Sequence, residues 1–463
     1  MENARFMITA LSSGSGKTVI AAALMSAFSG RGLKVAACKC GPDYIDPMFH
    51  REALGVESEN LDLFFLSGDV LRTLFLRHAR QAEVTVLEGV MGYYDGMSLD
   101  TDRASSFEVA RTLDVPAILV VPCKGAALSL VPLILGALTF REESNIRGIL
   151  LNRISGGLFP RMKQMIEEEL SKRGFPVPVI GYVPEDEVFR LKSRHLGLVL
   201  PREVQDIQEQ LRKAGKLLAE TIDLDLLLEI GRKAGEEAGC EAEEEEGTPA
   251  AHSVKVAVAR DEAFCFYYKD NLELLEELGC ELVEFSPLHD TSLPQGISGL
   301  ILGGGYPELY AAELSGNRDM CRSISSALKA GLPCLAECGG FLYLHTEMEG
   351  ADGSMYPMAD VIQASARRKE RLVRFGYMEL SAGKAGSFLG QGEVLRGHEF
   401  HYYDSTDNGS GCTAVKPDKK RSWKCVHAEG NLFAGFPHVH FYSNPSFARR
   451  FAACCRTWTG KEG

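Results

Sequence analysis

A short loop near the start of the chain restricts its fold more than any other feature. An apolar run, Phe6-Met-Ile-Thr-Ala10, leads into Leu11-Ser-Ser-Gly-Ser-Gly-Lys-Thr18, and a helix-like apolar stretch begins at Val19. Strand, glycine-rich loop and helix in that order make a phosphate cradle. Backbone N–H groups of Gly14, Ser15 and Gly16 and the helix N-terminus face the anion, Lys17 adds positive charge, and the Thr18 hydroxyl can ligate magnesium. Leu11 stands where the strict pattern has Gly, so the loop is a variant form. A Gly/Ser turn with an incidental lysine is the plainer alternative, and the flanking strand and helix argue against it.

The rest of the chain repeats the strand–helix rhythm that such a loop requires. Up to about residue 230, Lys34-Val-Ala-Ala-Cys-Lys, Val84-Thr-Val-Leu, Ala117-Ile-Leu-Val-Val, Gly148-Ile-Leu-Leu and Val179-Ile-Gly-Tyr-Val are uninterrupted apolar runs suited to strands buried on both faces of a parallel sheet. The expected fold class is α/β, a doubly wound parallel sheet. Residues 236–246 then carry seven carboxylates and no basic residue, which marks a solvated acidic linker. Beyond it the rhythm restarts with Val254-Lys-Val-Ala-Val-Ala, Glu281-Leu-Val-Glu-Phe, Gly299-Leu-Ile-Leu-Gly and Cys334-Leu-Ala-Glu. The expected organisation is a domain over 1–234, a linker over 235–253 and a second α/β domain over 254–463. A length of 463 residues suits two domains of about 200 residues each.

Without the seven linker carboxylates the formal charge of -13 falls to -6, so neither domain has the basic footprint of a nucleic-acid binder. Residues 1–10 offer too few apolar positions for a signal sequence or a membrane span, and the expected location is the cytoplasm, with no membrane partner. In that setting most of the 13 cysteines read as buried thiols.

Two acidic loops reach the phosphate loop's edge of the sheet. Glu88 closes the run Val84-Thr-Val-Leu-Glu88, followed by Gly-Val-Met-Gly-Tyr-Tyr-Asp95-Gly, and at that strand's carboxyl end it can meet magnesium near Thr18. The second loop, Cys40-Gly-Pro-Asp43-Tyr-Ile-Asp46-Pro-Met-Phe-His50, is stiffened by two prolines and a glycine.

These segments resemble a known family. Gly41-Pro-Asp-Tyr-Ile-Asp-Pro-Met-Phe-His50, Asn60-Leu-Asp62, Glu88-Gly-Val-Met-Gly-Tyr-Tyr-Asp-Gly96 and Arg194-His-Leu-Gly-Leu198 all look like cobyrinic acid a,c-diamide synthase. That family shares its ATP domain with dethiobiotin synthetase and makes two side-chain amides on a corrin ring in cobalamin biosynthesis. The resemblance implies that Thr18, Asp43 and Glu88 surround Mg2+, that Asp46 and Asp95 work around an acyl phosphate, and that Asn152, in Leu151-Asn-Arg153, reads the adenine. A carboxylate attacking a γ-phosphate is anion meeting anion, so metal and Lys17 must neutralise the charge.

In the second half, Cys334-Leu-Ala-Glu-Cys338-Gly-Gly-Phe-Leu is a strand, a tight turn and a helix-like stretch, the nucleophile-elbow arrangement. It aims the Cys338 thiol outward at a helix N-terminus, where thiolate is favoured. About 100 residues on, Phe436-Pro-His438-Val-His440 supplies a base. Cys then His is the order of class I glutamine amidotransferases, which makes His438 the base. Those domains usually carry His-x-Glu; here His440 occupies the Glu position, and the third member of the site stays open. Leu302-Gly-Gly-Gly-Tyr-Pro-Glu308 resembles the family's oxyanion loop, with N–H groups near Gly304 and Gly339 facing the oxyanion. Gly397-His-Glu-Phe-His401 also matches, with a structural role near the site.

The implied activity is that of a ligase. Glutamine is hydrolysed through a Cys338 thioester, ammonia travels to the first domain, and there it displaces phosphate from a mixed carboxylic-phosphoric anhydride. ATP, L-glutamine and cobyrinic acid are the implied partners, and a homodimer is compatible with the resemblance. The same chemistry on hydrogenobyrinic acid or nickel sirohydrochlorin is the nearest alternative. A regulatory ATPase of the chromosome-partitioning kind belongs to another class; it carries a second Lys at the position of Ser12 and no elbow cysteine, so both features speak against it.

Overall fold

The structure is a computed structural model that describes residues 3–190, 201–237, 253–384 and 386–460. The Arg194 to Leu198 motif and residues 238–252 of the expected linker lie outside these. The chain divides into two compact units, Met1–Glu244 and Glu245–Gly463. Helix Leu224–Glu237 runs through the first three residues of the expected linker. Among the described residues no helix is long and apolar enough to cross a membrane.

The first unit is a seven-stranded sheet of β1 (Ala4–Thr9), β2 (Val35–Cys40), β3 (Ser58–Leu61), β4 (Val84–Glu88), β5 (Ala117–Pro122), β6 (Ile146–Asn152) and β7 (Val179–Val183). Its spatial order is β3-β2-β4-β1-β5-β6-β7 and every pair is parallel. The apolar runs make these strands because both sheet faces are buried: Phe6, Met7, Ile8, Val86, Leu87, Ile118 and Leu119 are fully enclosed. β1 lies where the chain order reverses, between β4 and β5, and ligands of open α/β sheets bind at the strand carboxyl ends beside such a switch. Helix α1 (Lys17–Gly30) follows β1, and helix Pro201–Thr221 crosses it so closely that a Cβ at Gly215 would stand 2.9 Å from the Ala27 nitrogen.

The second unit has a six-stranded sheet in the spatial order Cys280–Phe285, Val254–Ala259, Ile297–Leu302, Cys334–Glu337, Leu432–Gly435, His427–Glu429. The first five strands are parallel and the last is antiparallel. Alternate residues of Ile297–Leu302 enter opposite cores, Leu300 and Leu302 one and Ile301 the other, as a period of two demands. An antiparallel sheet of five strands, Ser422–Cys425, Cys412–Val415, Arg374–Ala382, Val394–His401 and His438–Val439, flanks this core. The two-residue strand His438–Val439 follows Leu432–Gly435 in the chain, so both sheets converge on His438.

Candidate active sites

The phosphate loop turns twice through left-handed backbone, at Gly14 (φ 75°) and Gly16 (φ 92°), the latter capping α1. A Cβ at Gly16 would stand 2.8 Å from Asn152 Nδ2, so glycine is required there by space as well as by conformation. The Asn152 amide, at the end of β6, donates to the Ser15 carbonyl at 2.8 Å. Leu11, the departure from the strict pattern, is partly exposed and outside the left-handed positions, which is why a side chain is tolerated.

Register places the charged groups. Ile8 of β1 and Lys39 of β2 both lie opposite Glu88 of β4. The Thr18 hydroxyl donates to Glu88 Oε1. The buried Lys39 ammonium bridges Glu88 Oε1 and Asp46 Oδ2, each at 2.7 Å, and His50 Nε2 stands 3.5 Å from Glu88 Oε2. Burial opposes the charge on Glu88, but Lys39 and His50 outweigh it and hold the carboxyl well below its usual range. Burial likewise opposes Lys39, and Glu88, Asp46 and Asp43 keep its ammonium well above the lysine range. Burial and the charge of Glu88 push Asp46 up, with Lys39 pulling the other way.

Asp43 spends one oxygen on the N–H groups of Ile45 (2.8 Å) and Asp46 (3.1 Å), which turns the chain into helix Ile45–Leu54. Asp95 accepts the Gly92 N–H at 2.8 Å and shapes the loop after β4. Lys17 donates to the carbonyls of Ser12 and Met91, so it lies against the loops that would receive a phosphate chain. Burial and the neighbouring Lys39 push its pKa down, against Glu88 and Asp95. Beside Gly16 opens a cavity of about 300 Å³ lined by Asn152, Arg153, Val183, Pro184, Phe189 and Arg190 among others. Among the described residues no group of three or more His, Cys, Asp or Glu is arranged to hold a metal unaided.

In the second unit, Cys338 follows strand Cys334–Glu337 and caps the five-residue helix Gly339–Tyr343 with φ 45° and ψ −99°. A side-chain-bearing residue at positive φ is strained, and such strain gathers where a nucleophile must be presented. The junction is held by its neighbours: Cys338 N–H donates to the Gly435 carbonyl (2.8 Å) and Gly340 N–H to the Gly303 carbonyl (2.9 Å). A Cβ at Gly340 would stand 2.1 Å from the Leu302 oxygen, leaving no alternative to glycine. A Cβ at Gly339 would lie 3.0 Å from the Gly305 nitrogen, and one at Gly304 2.4 Å from His438 Cε1. The elbow, the glycine loop and the histidine therefore meet.

His438 is buried, with Nδ1 at 3.5 Å from Glu337 Oε2, and its ring stacks on His398 (centroids 5.1 Å apart, planes at 22°). His398 is its register partner on strand Val394–His401 and meets the Tyr268 hydroxyl at 3.1 Å. Burial and the neighbouring His438 push His398 well down, so it stays neutral. His440, where the carboxylate was open to assignment, lies 4.0 Å from Asp270, and burial pushes it down to about 3. For Cys338, burial and then Glu308, Glu399 and Glu337 push the thiol above its usual range. The helix behind Cys338 is a single turn, and burial and these carboxylates work against the thiolate that the elbow was expected to favour. Burial also raises Glu308, to about 7, with Arg368 opposing.

Residues 6–199 match the CobQ/CobB/MinD/ParA nucleotide binding domain, and residues 255–446 the CobB/CobQ-like glutamine amidotransferase domain. Cobyrinate a,c-diamide synthase from Caldanaerobacter subterraneus subsp. tengcongensis is 37% identical over 459 residues, covering 98% of this chain and 99% of the relative. The Salmonella typhimurium cobyrinate a,c-diamide synthase is 38% identical over 456 residues, 97% and 98% of the two chains. That of Listeria innocua is 37% identical over 448 residues, 96% and 97%.

The chain belongs to the cobyrinate a,c-diamide synthase family.

As a member of this synthase family it joins two α/β units, a nucleotide-binding one and an amidotransferase one. Within them, Thr18 and Glu88 touch directly, Asp46 joins Glu88 through Lys39, and Asn152 touches the phosphate loop. Asp43 is engaged in its own turn and Asp95 in the loop after β4. Sequence reading gave no individual role to Lys39, His50, Glu337 or His398, although His50 and His398 lie within motifs it singled out. The signal for Lys39 was a single lysine ending an apolar run; for Glu337, a carboxylate adjoining the elbow cysteine.

Proposed function

We propose that this synthase uses ATP to amidate the a and c carboxylates of cobyrinic acid in cobalamin biosynthesis, taking nitrogen from glutamine or from free ammonia. The match over 98% of the chain to cobyrinate a,c-diamide synthases carries the reading. At the first site a substrate carboxylate oxygen attacks the γ-phosphorus of ATP, ADP leaves, and an acyl phosphate forms. Ammonia then attacks the acyl carbon, phosphate leaves, and an amide remains. Lys17 and the loop N–H groups face the phosphates, the cavity beside Gly16 and Asn152 takes the base, and Asp46 and Asp95 border the acyl phosphate.

The donors fit Mg2+: Thr18 and Glu88 are hard oxygen ligands in contact, Asp43 adds a carboxylate from the adjoining loop, and magnesium is ordinarily held by one or two carboxylates with waters and phosphate oxygens. When bound, it would neutralise charge on the phosphates. Lys39 holds Glu88 ionised for that purpose.

At the second site Cys338 gives its proton to His438 and attacks the glutamine amide carbon. N–H groups at Gly304 and Gly339 face the oxyanion, ammonia leaves with the histidine's proton, and water releases glutamate. The location proposed for the reaction is the cytoplasm, where ATP and glutamine are both supplied. The test is mass spectrometry of cobyrinic acid incubated with the protein, MgATP and glutamine. Two successive losses of about one mass unit, one per carboxyl-to-amide step, are expected. An unchanged corrinoid, with amidation instead of hydrogenobyrinic acid or nickel sirohydrochlorin, would move the claim to that substrate.

A further inference from the structure

We infer that Glu337, the residue immediately before the nucleophile, is the positioning carboxylate of the glutamine site, holding His438 with its Nδ1 proton inward and its Nε2 free to take the proton of Cys338. This rests on the reading of Cys338 and His438 as thiol and base.

The usual location for such a carboxylate is two residues after the histidine, and here it is occupied by His440. Its neutral ring lies 4.0 Å from Asp270 and packs on Tyr268 at 5.0 Å. It brings no negative charge to His438. A carboxylate arrives instead from the nucleophile's own strand. Glu337 Oε2 stands 3.5 Å from His438 Nδ1, and Oε1 accepts the Val439 N–H at 3.2 Å. One oxygen thereby binds Val439 and the other faces His438 on the strand His438–Val439. Parallel register explains the reach: Glu337 lies opposite Gly435, three residues ahead of His438 on the adjoining segment.

Other described groups packed around His438 have engagements of their own. From strand Val394–His401 comes His398, stacked on the ring, kept neutral and bonded to Tyr268. From the oxyanion loop comes Gly304, without a side chain. Glu399 of the same antiparallel strand is engaged by Arg374 and His401, each at 3.4 Å, and together with Glu308 it acts on Cys338. Lys416 acts on His398. A histidine whose Nδ1–H faces a carboxylate has Nε2 unprotonated and becomes a better base as positive charge develops. The arrangement also suits a thiol that burial and carboxylates keep protonated at rest, because deprotonation then depends on the base. The same carboxylate opposes a standing thiolate and supports the imidazolium formed during attack.

The test uses the full chain with Glu337→Gln and Glu337→Asp, assayed with cobyrinic acid and MgATP, with saturating glutamine or ammonium chloride as donor. For Glu337→Gln we expect glutamine-dependent kcat to fall by about 100-fold with little change in the KM for glutamine, as loss of an oriented base implies. Ammonium-dependent kcat should stay within about twofold, showing that the variant folds and activates its substrate. The pH profile of glutamine use should move as well, because the site loses a negative charge. Glu337→Asp should recover part of the rate and of the profile. Glutamine use at the parent rate with an unmoved profile overturns the inference; so does equal loss with both donors in both variants. Failure of the underlying reading looks different: Cys338→Ala would then not separate the two donors.

Discussion

Lys17 and Cys338 stand at comparable points of the two units, each at the start of a helix after a parallel strand, and the two turns handle charge in opposite ways. At the first, glycines take up the left-handed backbone, a 14-residue helix follows, and Lys39 is buried between Glu88 and Asp46. At the second, Cys338 itself takes the strained φ, the helix is five residues long, and burial, followed by Glu308, Glu399 and Glu337, pushes the thiol above its usual range. A site for a polyanion benefits from fixed charge placed beforehand. A thiol that must not react until glutamine is present benefits from a base that acts only on demand.

The largest effect should come from removing the counter-charge in the first site. Lys39→Met leaves Glu88 and Asp46 buried without their cation, and breaking a buried pair in that way costs about 3–5 kcal/mol. The first transition in urea unfolding should shift accordingly, and amidation should be lost with either donor. A variant as stable as the parent would show that the site tolerates unpaired carboxylates. Next, Lys17→Ala should lower kcat by roughly 10²–10³ with glutamine and ammonium alike, the scale seen when one charge-stabilising donor is removed. A loss confined to glutamine would break the division between the two turns.

The smallest effect sharpens the second half of the comparison. Glu308, raised to about 7 by burial, is mostly neutral below that pH and ionises above it, adding a negative charge that disfavours the Cys338 thiolate. Glu308→Gln stays neutral throughout. Alkylation of Cys338 by iodoacetamide, read on its peptide by mass spectrometry, should therefore be about threefold faster than in the parent above pH 7, and equal at pH 5 to 6, a change of roughly half a pKa unit. Equal rates at every pH would remove Glu308 from the set that holds the thiol neutral.

Much of the fold was legible because parallel strands buried on both faces are written as apolar runs, as Val84–Glu88 and Ala117–Pro122 are. β3 was not. Its sequence, Ser58-Glu-Asn-Leu61, is polar, yet it is buried because partners lie close by: His50 for Ser58, His78 for Glu59, and the carbonyls of Gly41 and Asp43 for Asn60. The antiparallel strands of the second unit escaped for another reason. Arg374–Ala382 buries only part of its residues, and its pattern includes arginine, glycine and glutamate. In the sites, motif spacing was enough to nominate residues one strand at a time. What Lys39, His398 and Glu337 touch depends on which strands adjoin, and local signals for these residues do not say which distant segment they meet.

The most direct measurement is Cys338→Ala in the full chain, with cobyrinic acid, MgATP and either glutamine or a high concentration of ammonium chloride. Glutamine-dependent amidation should disappear while ammonium-dependent amidation continues at the parent rate, since only one of the two turns has been altered. Equal loss with both donors, or continued use of glutamine, would contradict the assignment of Cys338 as nucleophile and the division of labour between the two units.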